Sequence, residues 1–224
     1  MEDLKRAYFE WGECLKERYG LWTSIAIMQK VLNNWICSIP GNRCPNAIEL
    51  RIAVVAEVGE LLNELGTEWK WWAKKKEIDK EKVLEELVDV LHFYMSMVVY
   101  DYEVEDIKEW QESSWGMYDS EYDSKLLVAI LGFINEISDV GNAVNEITDM
   151  YFGEIVRALG FDYNEVWQKY VEKSFKNYVR QVSNGRYGKI PESELVKFAK
   201  ENWKCGKEYV LIDGEGNVIG EIEF

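Results

Sequence analysis

The chain has 224 residues, and its 41 acidic residues outnumber the 26 basic ones, which gives a formal net charge of −15. A surface this acidic argues against general binding to nucleic acids or to anionic membranes, since both require a basic face. Hydrophobic residues make up 47% of the chain, which is enough for a large core and too many for a disordered protein. The composition therefore indicates one folded domain or two small ones.

The cysteines and the apolar runs bear on the cellular compartment. The four cysteines have no Cys-x-x-Cys spacing and there is a single histidine, so a zinc site is poorly supported and reduced thiols are expected. The longest apolar run, 126–134, is far too short to span a membrane, and the N-terminus lacks the apolar core of a signal peptide. We therefore expect a cytoplasmic protein with no membrane partner.

Apolar residues recur at three- and four-residue steps through the first hundred residues, which is typical of helices. This periodicity predicts a helix over 2–36, which ends at a loop over 38–46 with two prolines and a glycine. A second helix is predicted over 47–72, a charged connector over 73–82 and a third helix over 81–100.

The second half of the chain begins with a polar stretch, 112–124, which is the best internal boundary. Helical patterns follow over 125–157 and 163–183. The last residues, 209–224, alternate between apolar and polar side chains around a glycine-rich turn, as in a small β-hairpin.

Two pairs of carboxylates are the most informative feature of the sequence. Glu57 and Glu60 lie three residues apart, as do Glu86 and Asp89, so each pair presents two acids side by side on one helix. The first pair lies within a largely apolar stretch, 53–62, which indicates that it faces inward. Like charges that face each other in a bundle are costly unless a cation lies between them. Carboxylate oxygens from two helices suit Mg²⁺.

These acids have two other interpretations. The first is that they are solvated side chains on exposed helix faces. The second is a di-iron bundle, because His92 follows Asp89 by three residues. That architecture needs a Glu-x-x-His from each of two helices, and one histidine cannot supply two.

The predicted fold class is therefore all-α: a helical bundle around a carboxylate metal site, with a small C-terminal β-hairpin. We predict two parts, a helical domain over 1–190 and a C-terminal extension over 191–224 that carries the hairpin.

Read in order, these motifs resemble the dimeric all-α dUTPases, within the wider group of MazG-like nucleoside triphosphate pyrophosphohydrolases. The matching segments are 29–36, 57–64, 69–72, 85–93 and 170–187, so the resemblance covers about residues 21–190. Three positions depart from the family pattern: Asn33 stands where Asp is frequent, Lys173-Ser174 where Lys-Asn is usual, and Gly185-Arg186-Tyr187 where Gly and Tyr are adjacent.

The resemblance implies Mg²⁺-dependent hydrolysis of dUTP, and of dUDP as a further substrate, by a homodimer. Glu57, Glu60, Glu86 and Asp89 would hold two or more Mg²⁺ ions, with Mn²⁺ as a substitute, and Glu60 would activate the water. The abundance of aromatic residues, 31 in all, also favours an obligate interface.

The resemblance further implies a set of substrate-binding residues: Gln29, Asn33, Lys70, Trp72, His92, Lys173, Asn177 and Arg180. The cations would bind phosphates, the amides would bind the uracil edge, and Trp72 would stack on the base. Ordinary surface cations and amides are the alternative for these side chains. His92 either contacts the metal ligands or the sugar, or is a buried core histidine.

The sequence is also compatible with two alternative functions, and it predicts one conformational change. The enzyme could prefer another base, such as that of dCTP, or the chain could be a non-catalytic nucleotide-binding helical dimer. Lys173 and Arg180 are two helical turns apart, which predicts that segment 170–190 closes over the nucleotide, with 185–189 as a mobile flap. The alternative for the flap is an ordinary loop.

Overall fold

A computed structural model describes residues 1–72, 74, 77–102, 126–183, 186–205, 209–212 and 218–222 of the chain. The fold class of these residues is all-α, as predicted, with eight α-helices, one short 3-10 helix and two short strands near the C-terminus. The elements are α1 (Glu2–Tyr19), α2 (Leu21–Ser38), α3 (Ala47–Glu64), the 3-10 helix (Gly66–Glu68), α4 (Lys80–Asp101), α5 (Leu126–Ser138), α6 (Glu146–Ala158), α7 (Tyr163–Gln181), α8 (Glu192–Asn202), β1 (Tyr209–Ile212) and β2 (Val218–Ile222).

The single helix predicted over 2–36 is wrong, because Gly20 divides it into α1 and α2. Gly20 has a φ of 83°, in the left-handed region that glycine adopts without steric cost. Its N–H still donates to the carbonyl of Lys16, so the residue closes α1 before the chain turns into α2. Apolar periodicity alone does not reveal such a break, since the pattern resumes directly after it.

Two other predicted helices are also divided or shortened. The helix predicted over 47–72 ends at Glu64 and continues as the 3-10 helix and a turn. The helix predicted over 125–157 is two helices, because Asn145 caps the N-terminus of α6 by accepting from the backbone N–H groups of Ile147 and Thr148. The predicted boundary at 112–124 lies outside the described residues.

The remaining helical predictions hold, with one omission. Helices α4 and α7 lie close to the ranges 81–100 and 163–183. Helix α8, which lies in the predicted C-terminal extension, was not predicted. Strands β1 and β2 pair antiparallel, with Tyr209 opposite Ile222. The residues between them, 213–217, lie outside the described part of the chain, and the hairpin stays a prediction.

The chain forms two compact units, the first from residues 1–45 and 171–224 and the second from 46–170. The first unit contains an aromatic cluster around Tyr8, which is fully buried. The Tyr8 ring packs edge-on against Tyr178 and Trp203, and its hydroxyl is hydrogen-bonded to Ser174. Burial raises the pKa of Tyr8 despite the bond to Ser174. The predicted domain boundary at 190 stays a prediction.

The second unit contains α3, α4, α5 and α6. A fully buried trio of aromatic rings, Tyr94, Phe133 and Phe152, joins α4, α5 and α6. Arg51 of α3 is buried and donates to the carbonyls of Ile137 and Asn142, so it satisfies acceptors at and just beyond the C-terminal end of α5. These contacts fix α3 against α5 in the unit that carries the predicted metal ligands.

The reduced state expected for the cysteines is wrong. Cys14 is bonded to Cys205 and Cys37 to Cys44, with Cα–Cα distances of 6.0 and 5.0 Å. Both distances are usual for disulfides. The sequence could not indicate the first pair, because its members are 191 residues apart.

None of the described helices combines the length and the apolar character that are needed to cross a membrane.

Candidate active site

Three acidic side chains converge in the second unit. Glu57 and Glu60 of α3 and Glu86 of α4 each offer a carboxylate oxygen, and these oxygens all lie within 4.8 Å of one another. Glu57 and Glu86 are half-buried and Glu60 is exposed. We refer to these three residues as the carboxylate cluster.

Local sequence explains why the two helices of the cluster begin where they do. Asn46 caps α3 in a capping box, in which its side chain accepts from the N–H of Glu49 and the Glu49 carboxylate accepts from the N–H of Asn46. Asp79 caps α4 by accepting from the N–H of Lys82. Beyond these caps, an apolar stripe on α3 packs against α4, and Glu57 and Glu60 lie next to this stripe. The buried members of the stripe are Val54, Val58 and Leu61.

Asp89, the fourth predicted metal ligand, lies one turn beyond Glu86 on α4 and is half-buried. It is not among the residues whose oxygens lie within 4.8 Å of one another. The structure therefore brings three of the four predicted acids together and places the fourth on the same helix.

The electrostatics of the carboxylate cluster favour a divalent cation. Three like charges within 4.8 Å repel one another, and a cation between them removes that cost. The donors are all hard oxygens from two rigid helices, which fits Mg²⁺ or Mn²⁺ better than zinc or copper. The residues present therefore fit a divalent metal of this class.

The turn after α3 is fastened to the C-terminal end of that helix. Trp69 donates from its indole nitrogen to the carbonyl of Leu62 at 2.7 Å. The Lys70 ammonium lies 5.0 Å from the centre of the Trp69 ring and 3.3 Å from the side-chain oxygen of Asn63. Asn63 is one turn beyond Glu60. Lys70, a predicted phosphate-binding residue, is thus held at the C-terminal end of the helix that carries Glu57 and Glu60.

Trp72, the predicted base-stacking residue, follows in the same turn. Its ring packs edge-on against Trp69 and Trp71, at centroid distances of 5.8 and 5.5 Å. Trp72 is 63% exposed and Trp71 is 89% exposed. Indole rings this exposed offer flat faces to a planar ligand.

His92 is a buried residue of α4, stacked on Tyr170 of α7 with 4.4 Å between ring centres. Lys169, the residue before Tyr170, is paired with Glu81 and lies 3.0 Å from Glu85. Both glutamates are in the first turns of α4. Burial lowers the pKa of Lys169, but the bonds to these two carboxylates outweigh it and leave the pKa raised. His92 thus belongs to the packing of α7 on α4.

The other predicted substrate residues lie in the first unit. On α2, Gln29 is buried and donates from its side-chain nitrogen to the side-chain oxygen of Asn33 at 2.8 Å. On α7, Arg180 donates to the side-chain oxygen of Asn177 at 2.8 Å. Lys173 is half-buried one turn before Asn177. Each pair of neighbours therefore combines hydrogen-bond donors and acceptors, although Gln29 itself is buried.

The segment predicted to be a flap folds back on the end of α7. The backbone N–H groups of Tyr187 and Gly188 donate to the carbonyl of Arg180, and that of Lys189 donates to the carbonyl of Gln181. The Lys189 ammonium also donates to the side chain of Asn42. Gly185 lies outside the described residues, and closure of this segment stays a prediction.

Comparison with family models identifies residues 21–185 as matching the model described as dUTPase. The match covers most of the chain and includes all twelve predicted site residues. The chain belongs to the dUTPase family. The comparisons with curated proteins and with solved structures found no match.

Membership of the dUTPase family supports dUTP hydrolysis as the general activity, and it implies a nucleotide substrate and a divalent metal. The wider MazG-like grouping and the cytoplasmic location stay predictions. The carboxylate cluster, whose donors fit a divalent metal, lies within the matched residues.

Two side chains that brace this region, Asn63 and Lys169, were not among the predicted site residues. Asn63 contacts Lys70, and its signal was its position one turn beyond Glu60. Lys169 bridges Glu81 and Glu85 across 84 or more residues of sequence, and no local pattern indicates such a pair. Both contacts stabilise the elements on which the dUTPase family motifs lie.

Proposed function

We propose that this member of the dUTPase family hydrolyses dUTP to dUMP and pyrophosphate with Mg²⁺, as a cytoplasmic homodimer that removes dUTP and supplies the precursor of dTMP. The observation that carries the proposal is the carboxylate cluster, because triphosphate hydrolysis needs concentrated positive charge and this acidic chain must hold it as metal ions. We expect two or more Mg²⁺ ions, replaceable by Mn²⁺, and dUDP as a further substrate.

In this proposal Glu57, Glu86 and Asp89 hold the metal together with Glu60. The bound metal would neutralise charge on the attacking and leaving oxygens. Glu60, the exposed member of the cluster, orients the attacking water and accepts its proton. The water oxygen bonds to phosphorus while the bridge between the α- and β-phosphates breaks, so that pyrophosphate leaves.

The remaining residues would bind the nucleotide. Lys70, Lys173 and Arg180 would contact phosphate oxygens, since the chain is otherwise strongly acidic. Trp72 would stack on the base, and its exposure leaves a ring face available. We also propose that Gln29, Asn33 and Asn177 bind the uracil edge, because an amide both donates and accepts. His92 would support the sugar side of the site through the packing of α4.

The experiment that tests the proposal is a panel of nucleoside triphosphates with Mg²⁺, in which pyrophosphate release is measured. We expect release from dUTP at a far higher kcat/KM than from dCTP, dTTP or dATP. Release from another nucleotide with none from dUTP would overturn the specificity, and release from none would indicate a non-catalytic nucleotide-binding protein.

The site assignments are tested by variants in both units. Lys173→Met and Arg180→Met should each raise the KM for dUTP by about tenfold or more, since each removes a charge-assisted hydrogen bond. Lys176→Met is the matched control, because Lys176 is an exposed cation of the same helix that pairs with Glu172. Equal KM values for the three variants would remove Lys173 and Arg180 from the site.

A further inference from the structure

The two disulfide bonds enclose very different lengths of chain. Cys14–Cys205 joins residues that are 191 apart, whereas Cys37–Cys44 joins residues that are only seven apart. A bond that closes a short loop restrains the unfolded chain less than one that closes a long loop, so its loss costs the fold less. Opening of Cys37–Cys44 is therefore a local change that leaves the fold in place.

The Cys37–Cys44 bond is accessible to a thiol in solution. Cys44 is exposed, as are the residues on either side of it, and Cys37 is half-buried. The Arg43 guanidinium donates to the carbonyl oxygen of Cys44 at 3.4 Å. A cation this close favours the thiolate that leaves when the bond is reduced. Disulfides of proteins in reducing compartments are mostly transient and serve catalysis or redox sensing.

The ring that this bond closes holds Asn42 in place. The side-chain nitrogen of Asn42 donates to the carbonyl of Ile36 at 2.8 Å, and its backbone N–H donates to the carbonyl of Ile39 at 2.9 Å. Both carbonyls lie at the C-terminal end of α2. The side-chain oxygen of Asn42 accepts from the ammonium of Lys189, which lies 147 residues later in the chain. A single amide therefore joins the ring to segment 186–189.

Segment 186–189 in turn satisfies the end of α7. The N–H of Tyr187 donates to the carbonyl of Arg180 at 2.8 Å, and the N–H of Lys189 donates to the carbonyl of Gln181 at 2.9 Å. The last carbonyls of a helix have no partners within the helix, so these bonds hold its final turn. Arg180 belongs to that turn and is proposed above to contact phosphate. All of these contacts lie within the first unit.

We infer that Cys37–Cys44 is a site of thiol–disulfide exchange, and that its opening loosens the segment and the final turn of α7. The contacts form one continuous path from the bond through Asn42 and Lys189 to the end of α7, which is a physical route for such coupling. The effect on the segment depends only on these contacts. The effect on nucleotide affinity rests on the proposed function, in which Arg180 binds phosphate.

The reductant in this exchange is a dithiol. One of its thiolates attacks the sulfur of Cys44, the more exposed residue, so that a mixed disulfide forms while the bond between the two cysteines breaks and Cys37 leaves as a thiolate. The second thiol of the reductant then closes its own disulfide and releases Cys44. In total, two electrons and two protons pass to the protein, which gains two thiols, and the reductant becomes a disulfide.

Hydrogen exchange in the absence of nucleotide tests the effect on the segment. Dithiothreitol is the reductant, and alkylation followed by peptide mass spectrometry reports which bond has opened. Once Cys37–Cys44 is open, amides 187–190 should exchange at least about tenfold faster, while those of α4 keep their rates. The double variant Cys37→Ser with Cys44→Ser should behave in the same way without a reductant. Unchanged exchange with the bond open, or a bond that stays closed in dithiothreitol, would overturn the inference.

Single substitutions test the path and stay informative where the double variant fails to fold. Lys189→Met keeps the bond but removes the contact with Asn42, so it should speed exchange over 187–190. Ser38→Ala is the matched control, because Ser38 lies in the same ring but donates to the carbonyl of Trp35, and it should keep wild-type rates. Equal exchange in these two variants would exclude the path through Asn42 and Lys189.

Steady-state kinetics then test the effect on the nucleotide. Opening of the bond should raise the KM for dUTP about threefold or more with little change in kcat, because the carboxylate cluster lies in the second unit. Reoxidation with oxidised glutathione should restore the KM. Hydrolysis with the same KM in both states would overturn the coupling to Arg180. A protein that releases no pyrophosphate, but in which opening of the bond loosens the segment, would contradict the proposed function alone.

Discussion

Replacing Glu60 by Gln should stabilise the metal-free protein. The change keeps the shape of the side chain and removes one of three negative charges within 4.8 Å of one another. Each pair of unit charges at that distance costs roughly 1 kcal/mol in water-like surroundings, and Glu60 takes part in two pairs. We therefore expect the free energy of unfolding to rise by about 1 to 2 kcal/mol in the presence of a chelator, which is a few degrees in Tm for a chain of this size.

The difference in stability between Glu60→Gln and the wild type should change sign when Mg²⁺ is added. A ligand that binds only the native state stabilises it by about 2.7 kcal/mol when its concentration is one hundred times its Kd. Glu60→Gln removes a metal ligand, so the variant should gain much less than the wild type. The wild type should then be the more stable protein in Mg²⁺, although it is the less stable one without it.

Thermal unfolding in EDTA and across a Mg²⁺ titration tests whether the variant is the more stable protein without metal and the less stable one with it. Glu68→Gln is the matched control, because Glu68 is an exposed acid of the same unit outside the carboxylate cluster, and it should leave both Tm values near those of the wild type. A Glu60→Gln variant that is less stable than the wild type in EDTA would refute repulsion within the cluster. An equal Mg²⁺ response in all three proteins would refute metal binding there.

Three further changes have defined outcomes. Replacing Cys14 and Cys205 by Ser should lower the free energy of unfolding in urea by up to about 5 kcal/mol, because the bond closes a sequence separation of 191 residues; an unchanged urea midpoint would contradict this. Lys169→Met should cost about 1 to 2 kcal/mol at pH 8. The pKa of Lys169 is raised from 10.5, so the stability that Lys169 contributes is complete below pH 10.5 and is lost as the pH rises through the raised pKa. The difference in stability between wild type and variant should therefore shrink in strongly alkaline urea titrations. Lys70→Met should raise the KM for dUTP about tenfold with a smaller effect on kcat, and steady-state kinetics with an unchanged KM would exclude a phosphate contact.

Helical periodicity predicted the helices that carry the candidate site, and local capping decided where they end. The pair Glu57 and Glu60 could be placed on one face of α3 from spacing alone, because residues three apart on a helix are neighbours. The break at Gly20 could not be predicted, since an apolar stripe runs through it and only the backbone dihedral angle reveals the turn. Asn145, by contrast, has the sequence signature of an N-cap, and it marks the point where the helix predicted over 125–157 is divided.

Contacts between distant parts of the chain were beyond sequence reasoning. The approach of Glu86 to the α3 acids depends on how α3 packs on α4, which periodicity suggests but does not measure. The Cys14–Cys205 bond depends on the position of a C-terminal segment that has no counterpart in the family match, which ends at residue 185. The exposure of Ile48, Ile52 and Val55 on α3 could not be predicted either, because apolar residues at helical spacing look like core residues in the sequence.

The most direct measurement is the initial rate of pyrophosphate release from dUTP by the wild type and by Glu60→Gln, each with Mg²⁺ and with EDTA. We predict rapid release by the wild type that depends on Mg²⁺, and a rate lower by at least two orders of magnitude for Glu60→Gln, with dUTP binding retained when the binding is measured by calorimetry. Release that persists in EDTA, or a Glu60→Gln variant as active as the wild type, would contradict metal-assisted hydrolysis at the carboxylate cluster.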